Sequence, residues 1–362
     1  LPNIYAHILN AFLASVLLIE IMRWLAPQLQ LVDLPDARKR HDGEIPLCGG
    51  LAIFTAFMLT GIGFGPRYGI PWNMETGLGL LVLIGLADDR WRLRATTRLM
   101  AEFGAALLLV AAAGPFLLNL GTFLDVQFLL APIVGMTLAV VFLVGTVNSI
   151  NMLDGIDGLA GASTAAALFW LALIADRLGE MDLMLQALTL LAATIGFLVF
   201  NMRHPWRVRA SVFLGDAGSH MLGAALAYFV IRLSTGENGV AFVPALWILV
   251  LPLTDTLSLM VRRTWAGKSA LAPDRQHLHH LLVDRGLSHT VTAALLAGAS
   301  TLCGAIGYLG FVAGIADSTM AIGLMIPVLL HCIVVWALSG NSARAGVRLY
   351  GQPRIPSIGD GQ

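Results

Sequence analysis

Charge is scarce in this chain. Asp, Glu, Lys and Arg together make up 12% of its residues, about half the share a soluble domain carries, whereas 57% are hydrophobic and the mean hydropathy is +0.79. A soluble globular protein is excluded. Cysteine is scarcer still, and Cys48, Cys303 and Cys332 form no C-x-x-C pair, which leaves neither a disulfide framework nor a zinc ribbon. No G-x-x-x-x-G-K-[ST] and no strand-linked G-x-G-x-x-G occurs, which sets aside an ATPase or a nicotinamide enzyme. Fixed-period repeats and low-complexity tracts are missing too, and no loop between apolar runs is long enough for a separate soluble domain. Lastly, no basic region precedes the first apolar run, whose Arg23 follows it instead, so that run is expected to be a retained span and not a signal peptide.

What is present is a series of apolar runs near the roughly 20 residues that a membrane-spanning helix needs. Eleven are expected, near 5–25, 48–65, 74–87, 97–114, 127–147, 158–176, 183–202, 215–233, 241–261, 291–315 and 318–339. The fold class is therefore all-α and polytopic, with one transmembrane domain over 1–340 and a tail over 341–362. Alternate loops divide the positive charge unevenly. One set has only Arg67, Arg177 and Arg232, and the other set with the tail holds the remaining Lys and Arg. Cytoplasmic loops are the basic ones, which puts the N-terminus outside and the C-terminus and the polar loops inside.

Those loops carry the candidate chemistry. Asp88 and Asp89 are adjacent carboxylates at a span end, a repulsive pair that a cation or a proton must relieve; a solvated loop with cancelling charges is the plainer reading. In "VNSINMLDGIDGLAG" Asn148 and Asn151 lie one turn apart, and Asp154-Gly155 and Asp157-Gly158 then break the helix. Carboxylate and amide oxygens suit a hard cation such as Mg²⁺, against a polar cap with a turn. In "FLGDAGSHMLG" Asp216 opens the eighth run, where a helix N-terminus favours phosphate but an Asp is also an ordinary cap. The run "PDRQHLHHLLVDRG" brings Arg275, His277, His279 and His280. No i, i+4 His pair or cysteine accompanies them, so phosphate or sugar hydroxyls fit better than zinc. Asp255 lies inside an apolar run, a functional candidate by default, and is read here as structural. Phosphoryl transfer between a soluble nucleotide and a lipid needs this combination of features on one membrane face.

The chain resembles the polyprenyl-phosphate N-acetylhexosamine-1-phosphate transferases, bacterial membrane enzymes that start surface-glycan synthesis. The resemblance runs through "VDLPDARKRHDGEIPLCGG", "LADDRW", "NSINMLDGIDGLAG", "FLGDAGS" and "PDRQHLHHLL" in the family's order. The last motif is similar to the UDP-N-acetylglucosamine branch, with Leu278 where the UDP-N-acetylmuramoyl-pentapeptide branch has a further histidine. The resemblance implies transfer of N-acetylglucosamine 1-phosphate from UDP-GlcNAc to undecaprenyl phosphate in the bacterial inner membrane. It implies Asp216 and Asn151 as ligands of Mg²⁺, with Mn²⁺ as a substitute, and Asp88 on the lipid phosphate with Asp89 beside it. Asp154 and Asp157 would serve the nucleotide, with Asn148 orienting them. Arg275, His277, His279 and His280 would serve the sugar and diphosphate, and Lys39, His41 and Arg98 are further substrate contacts. A homodimer is compatible with the sequence; a nucleic-acid partner is not expected. Other UDP-HexNAc donors (FucNAc, QuiNAc or MurNAc-pentapeptide) stay open, and so does a transporter or flippase. The chain departs from the pattern twice. Arg92 stands at a third acidic position, and Thr96 replaces a lysine, leaving Arg94 or Arg98 to supply its charge.

Overall fold

The structure is a computed structural model describing residues 4–33, 43–62, 69–111, 118–124, 126–236, 239–270 and 275–345. Fourteen helices and four short strands occur among them. The first part holds α1 (Ile4–Leu25), β1 (Val32–Asp33), β2 (Ile45–Pro46), α2 (Gly49–Ile62), α3 (Trp72–Trp91) and α4 (Ala95–Ala111). A hairpin of β3 (Leu118–Phe123) and β4 (Val126–Leu130) leads into α5 (Pro132–Leu153), α6 (Leu159–Leu178), α7 (Met181–Asn201) and α8 (Gly215–Leu233). The last part is α9 (Phe242–Leu246), α10 (Val250–Trp265), α11 (Leu278–Asp284), α12 (His289–Val312), α13 (Asp317–Gly323) and α14 (Met325–Ala345).

Six helical segments among the described residues are long and apolar enough to cross a membrane: α1, α5, α6, α7, α12 and the stretch Asp317–Ser339. This is a multi-pass membrane protein. The other expected spans correspond to helices that are shorter or carry more polar residues, and α2 is an apolar helix of 14 residues. Three expectations need correction. The fold is not purely α, because β1 pairs antiparallel with β2 and β3 with β4. The expected span at 127–147 begins instead as a strand, and its helix starts at Pro132, which at a first helical position gives up only a backbone N–H that had no partner anyway. The expected span at 241–261 is two helices, with residues 247–249 between them.

Helix α8 is the axle. Every residue from Ala217 to Ile231 is buried, as befits a helix apolar all round, and α2, α3, α5 and α6 pack on it. Small residues permit the approach. A Cβ on Gly50 would collide with the backbone of Gly218, and one on Gly85 with the backbone of Ala217. Backbone-to-backbone packing of this kind is how helices associate in lipid, where burial of apolar surface gives no drive. It brings the start of α8 against the end of α3 and the start of α2, and the polar motifs sit at that junction.

Candidate active site

The FLGD segment is placed first. The Phe213 N–H donates to Pro46 O at 2.9 Å, and the N–H groups of Gly49 and Gly50 donate to Phe213 O and Leu214 O at 3.0 and 2.9 Å. Residues 46–50 therefore grip 213–214 like a strand partner, immediately before Asp216. Leu214 occupies the cap position of α8 and has no side-chain oxygen to cap it. The cap comes from α3. Asp89 Oδ1 accepts from the Asp216 N–H at 3.0 Å, and Asp89 Oδ2 from the Ala217 N–H at 3.4 Å. Gly215 turns through φ +73°, and a Cβ there would press on the Asp89 carboxylate.

Asp88 is buried beside this cap. Its Oδ1 accepts from the Leu93 N–H at 2.7 Å and its Oδ2 from Arg98 Nη1 at 3.0 Å, while its carboxyl also reaches that of Asp216. Arg98 is thus the cation at Asp88. Arg94 is exposed on the connection between α3 and α4, and Thr96 is exposed in the first turn of α4. From α5, Asn151 Nδ2 donates to Asp216 Oδ1 at 2.6 Å and to Ser219 Oγ at 2.9 Å. Asp88, Asp89, Asp216, Asn151 and Arg98 therefore form one cluster at the ends of four helices.

Asn148 faces elsewhere and donates to Glu102 Oε2 at 2.6 Å. Asp154 closes α5, its N–H donating to the carbonyls of Ile150 and Asn151. Asp157 ties down the neighbouring loop, accepting from Arg203 Nε at 2.6 Å and from the Ala210 N–H at 3.2 Å. Asn201 reinforces this join by accepting from the Gly158 N–H and donating to Val212 O. Neither Arg203 nor Asn201 was singled out in the sequence, although both belong to the polar run "NMRHPW" that ends α7.

The histidine motif is hung from α10. Asp255 Oδ2 and His277 Nδ1 are 2.8 Å apart, and Asp255 Oδ1 accepts from the Leu278 N–H at 3.0 Å. His331 of α14 stands 3.5 Å from the same carboxylate. What Asp255 holds is the histidine motif. His277 and His279 stack with their rings 9° from parallel. The motif meets the DG loop at Gly155, where a Cβ would collide with the imidazole of His279. Burial pushes His279 down to about 3 and His280 down to about 4, with the neighbouring His280 and Arg275 charges respectively adding to the effect; both rings are neutral at physiological pH. Arg275 is exposed and 3.9 Å from Asp284. Lys39 and His41 lie outside the described residues, in the stretch that joins β1 to β2.

A comparison with protein families matches residues 72–234 to glycosyl transferase family 4. That segment contains the whole carboxylate cluster. Relatives extend the match over nearly the full length. The undecaprenyl-phosphate alpha-N-acetylglucosaminyl 1-phosphate transferase of Haemophilus influenzae is 32% identical over 91% of this chain and 92% of its own. The chain belongs to glycosyl transferase family 4. Proteins of the same name from Yersinia pestis and Escherichia coli K12 are 32% and 31% identical, over 84% and 85% of this chain and 83% and 84% of theirs. In this glycosyl transferase the carboxylate cluster, the DG loop and the histidine motif are joined through α5 and Gly155 into one candidate active site.

Proposed function

We propose that this chain transfers N-acetylglucosamine 1-phosphate from UDP-GlcNAc to undecaprenyl phosphate, giving undecaprenyl-diphospho-GlcNAc and UMP. The observation that carries the reading is the meeting of Asp88, Asp216, Asn151 and Arg98 at helix ends of a multi-pass membrane protein whose near-full-length relatives bear that activity in their names. An oxygen of the lipid phosphate attacks the phosphorus that bears the sugar, the bond from that phosphorus to the bridging oxygen breaks, and UMP leaves with the electron pair. A phosphate monoester has its second pKa near 6, so the acceptor arrives largely ionised and no strong base is required.

The residues present suit a hard divalent cation. Asp216 and Asn151 offer a carboxylate and an amide oxygen, and the close approach of Asp88 to Asp216 calls for positive charge beyond that of Arg98. Among the described residues no three His, Cys, Asp or Glu gather as a metal cluster. That is compatible with Mg²⁺, which takes one or two carboxylates and fills its shell with water and substrate phosphate. Bound there, Mg²⁺ or Mn²⁺ would supply charge neutralisation on the pyrophosphate. Arg98 then orients the acceptor phosphate beside Asp88, Asp89 holds α8 so that Asp216 faces the pyrophosphate, and the DG loop receives the nucleotide. His277, His279, His280 and Arg275 would serve the sugar and diphosphate in this reading, and Lys39 and His41 would be further substrate contacts. The site faces the cytoplasm of a bacterial inner membrane in this reading, as the basic loops require.

Purified protein in detergent, given undecaprenyl phosphate, Mg²⁺ and a panel of UDP-HexNAc donors, is expected to release UMP with UDP-GlcNAc and to stop on addition of EDTA. Release with another donor alone would move the sugar and keep the chemistry. No release with any donor would refute the reading and leave a transporter in its place.

A further inference from the structure

Behind the cluster lies an acidic side chain that the mechanism above does not use. Glu102 is fully buried in α4, in a run where the cost of an ionisable group marks it for a role. It reaches two neighbouring helices and one residue of its own helix. Its Oε2 accepts from Asn148 Nδ2 of α5 at 2.6 Å. Its Oε1 lies 3.4 Å from Arg98 Nε, one turn back on its own helix, and 3.7 Å from Nε2 of the fully buried His220 of α8. Neither approach is aligned as a hydrogen bond. Arg98 Nε, Glu102 Oε1 and both ring nitrogens of His220 are all buried without a hydrogen-bond partner. Glu102 Oε1 is therefore one acceptor standing between Arg98 Nε, a donor, and His220 Nε2, which donates in one of the two imidazole tautomers.

Arg98 is consequently hydrogen-bonded at one point, Nη1 on Asp88, and ion-paired at a second, Nε toward Glu102. A guanidinium fixed in this way is a planar fork of set direction, and its value in holding phosphate depends on that direction. We propose that Glu102 is a positioning residue for the transfer reaction, orienting Arg98 toward the acceptor phosphate and locking α4 to α5 through Asn148, with His220 as its alternate donor. This rests on the function proposed above. Glu102 touches no reacting atom; it acts through Arg98.

A residue that acts through another leaves a signature in a double-mutant cycle, because once the second residue is altered nothing remains for the first to orient. The variants are Glu102→Gln, Arg98→Lys and the pair, assayed as purified protein for UMP release and for melting in detergent. Glu102→Gln is expected to lower kcat about ten-fold, within the range for residues in contact, with KM for the UDP-sugar unchanged. The pair is expected to be no slower than Arg98→Lys alone. Losses that multiply, or an unchanged kcat in Glu102→Gln, would overturn the inference. If Glu102→Gln does not fold, Asn148→Ala removes the 2.6 Å donor and leaves the carboxylate in place, and the same non-additivity with Arg98→Lys is expected; additivity there refutes it equally. A silent wild type would overturn the functional reading and this inference with it, whereas an active wild type with an additive cycle overturns this inference alone.

Discussion

Asp89 is expected to serve as a cap supplied from another helix, and two substitutions separate that role from a chemical one. In Asp89→Ala both N–H groups at the start of α8 lose their acceptor. The 3.0 Å bond to Asp216 N is ordinary and the 3.4 Å bond to Ala217 N is long, so the first carries most of the loss. Removal of a helix cap costs about 1 kcal/mol, and loss of a negative charge at a helix N-terminus adds about 0.5 kcal/mol. Leaving a buried N–H unpaired raises the total toward about 2 kcal/mol. Relief of repulsion against Asp216 works the other way, so about 2 kcal/mol is the upper end. The functional loss should exceed the loss of stability. Asp216 is the residue whose N–H is released, and a misplacement of about 1 Å in a reacting constellation costs about 100-fold in rate.

Asp89→Asn keeps one acceptor oxygen, which the amide can turn toward Asp216 N. It should therefore melt within about 1 kcal/mol of wild type, on the scale of a single neutral hydrogen bond, and retain activity to within about ten-fold. The assay is UMP release at saturating substrates alongside intrinsic-fluorescence melting in detergent. The expected order in both is wild type, then Asn, then Ala. If Asp89→Asn is as inactive as Asp89→Ala while both melt like wild type, the charge of Asp89 takes part in the chemistry and the capping argument is wrong.

Other expectations follow from the same geometry. Gly155→Ala drives a methyl group into the buried imidazole of His279 and should raise KM for the UDP-sugar while lowering the melting midpoint, by the roughly 1–3 kcal/mol that overpacking costs; an unaltered KM would detach the histidine motif from the donor. Arg98→Ala should reduce turnover by about 100-fold, as the loss of a charge-stabilising donor does, while the exposed Arg94→Ala should stay close to wild type; the reverse order would show that Arg94 replaces the family lysine. Stability should fall on acidification. In the unfolded chain His279 and His280 bind protons below about 6.5, but in the folded protein only near 3 and 4. The unfolded state therefore takes up more protons between those limits. Their effect is absent above about pH 6.5 and grows as pH falls toward 4, which melting curves over that interval would show as a falling midpoint, reduced in a His279→Gln variant.

Much of the polar end of the molecule was legible in the sequence because spacing along a helix is local information. Asp88 and Asp89 at the end of one apolar run, Asn151 at the end of another and Asp216 at the start of a third were each visible as helix-end groups. Their partners were not visible. Asn148 and Asn151 look alike in sequence, yet three residues on an α-helix leave two side chains about 60° apart, enough here to send one to α4 and the other to α8. Asp157 reads as a second nucleotide residue, but its ion pair with Arg203 spans 46 positions, and the Asp89 cap spans 127. Glu102 had a local signal, as the lone acid in its run, that went unread. The strands beside α5 were hidden because "VQFLL" continues the apolar run of the helix after it, and apolarity alone does not separate a short strand from a helix end.

The carboxylates of α3 also show why the glycines matter to the chemistry. Negative charge at a helix C-terminus is unfavourable, since the last carbonyls already leave a partial negative charge there. Asp88 and Asp89 occupy that position in α3 and would weaken an isolated helix. The start of α8 offsets this, because its N–H groups present partial positive charge and donate to Asp89, while Arg98 answers Asp88. That pairing exists only if α3 and α8 come into backbone contact, which Gly85 against Ala217 permits, and α2 completes the junction through Gly50 against Gly218. Small residues deep in the packing thus set the electrostatics of the site. A side chain at Gly85 would leave every polar residue of the cluster in place and still separate Asp89 from the helix it caps.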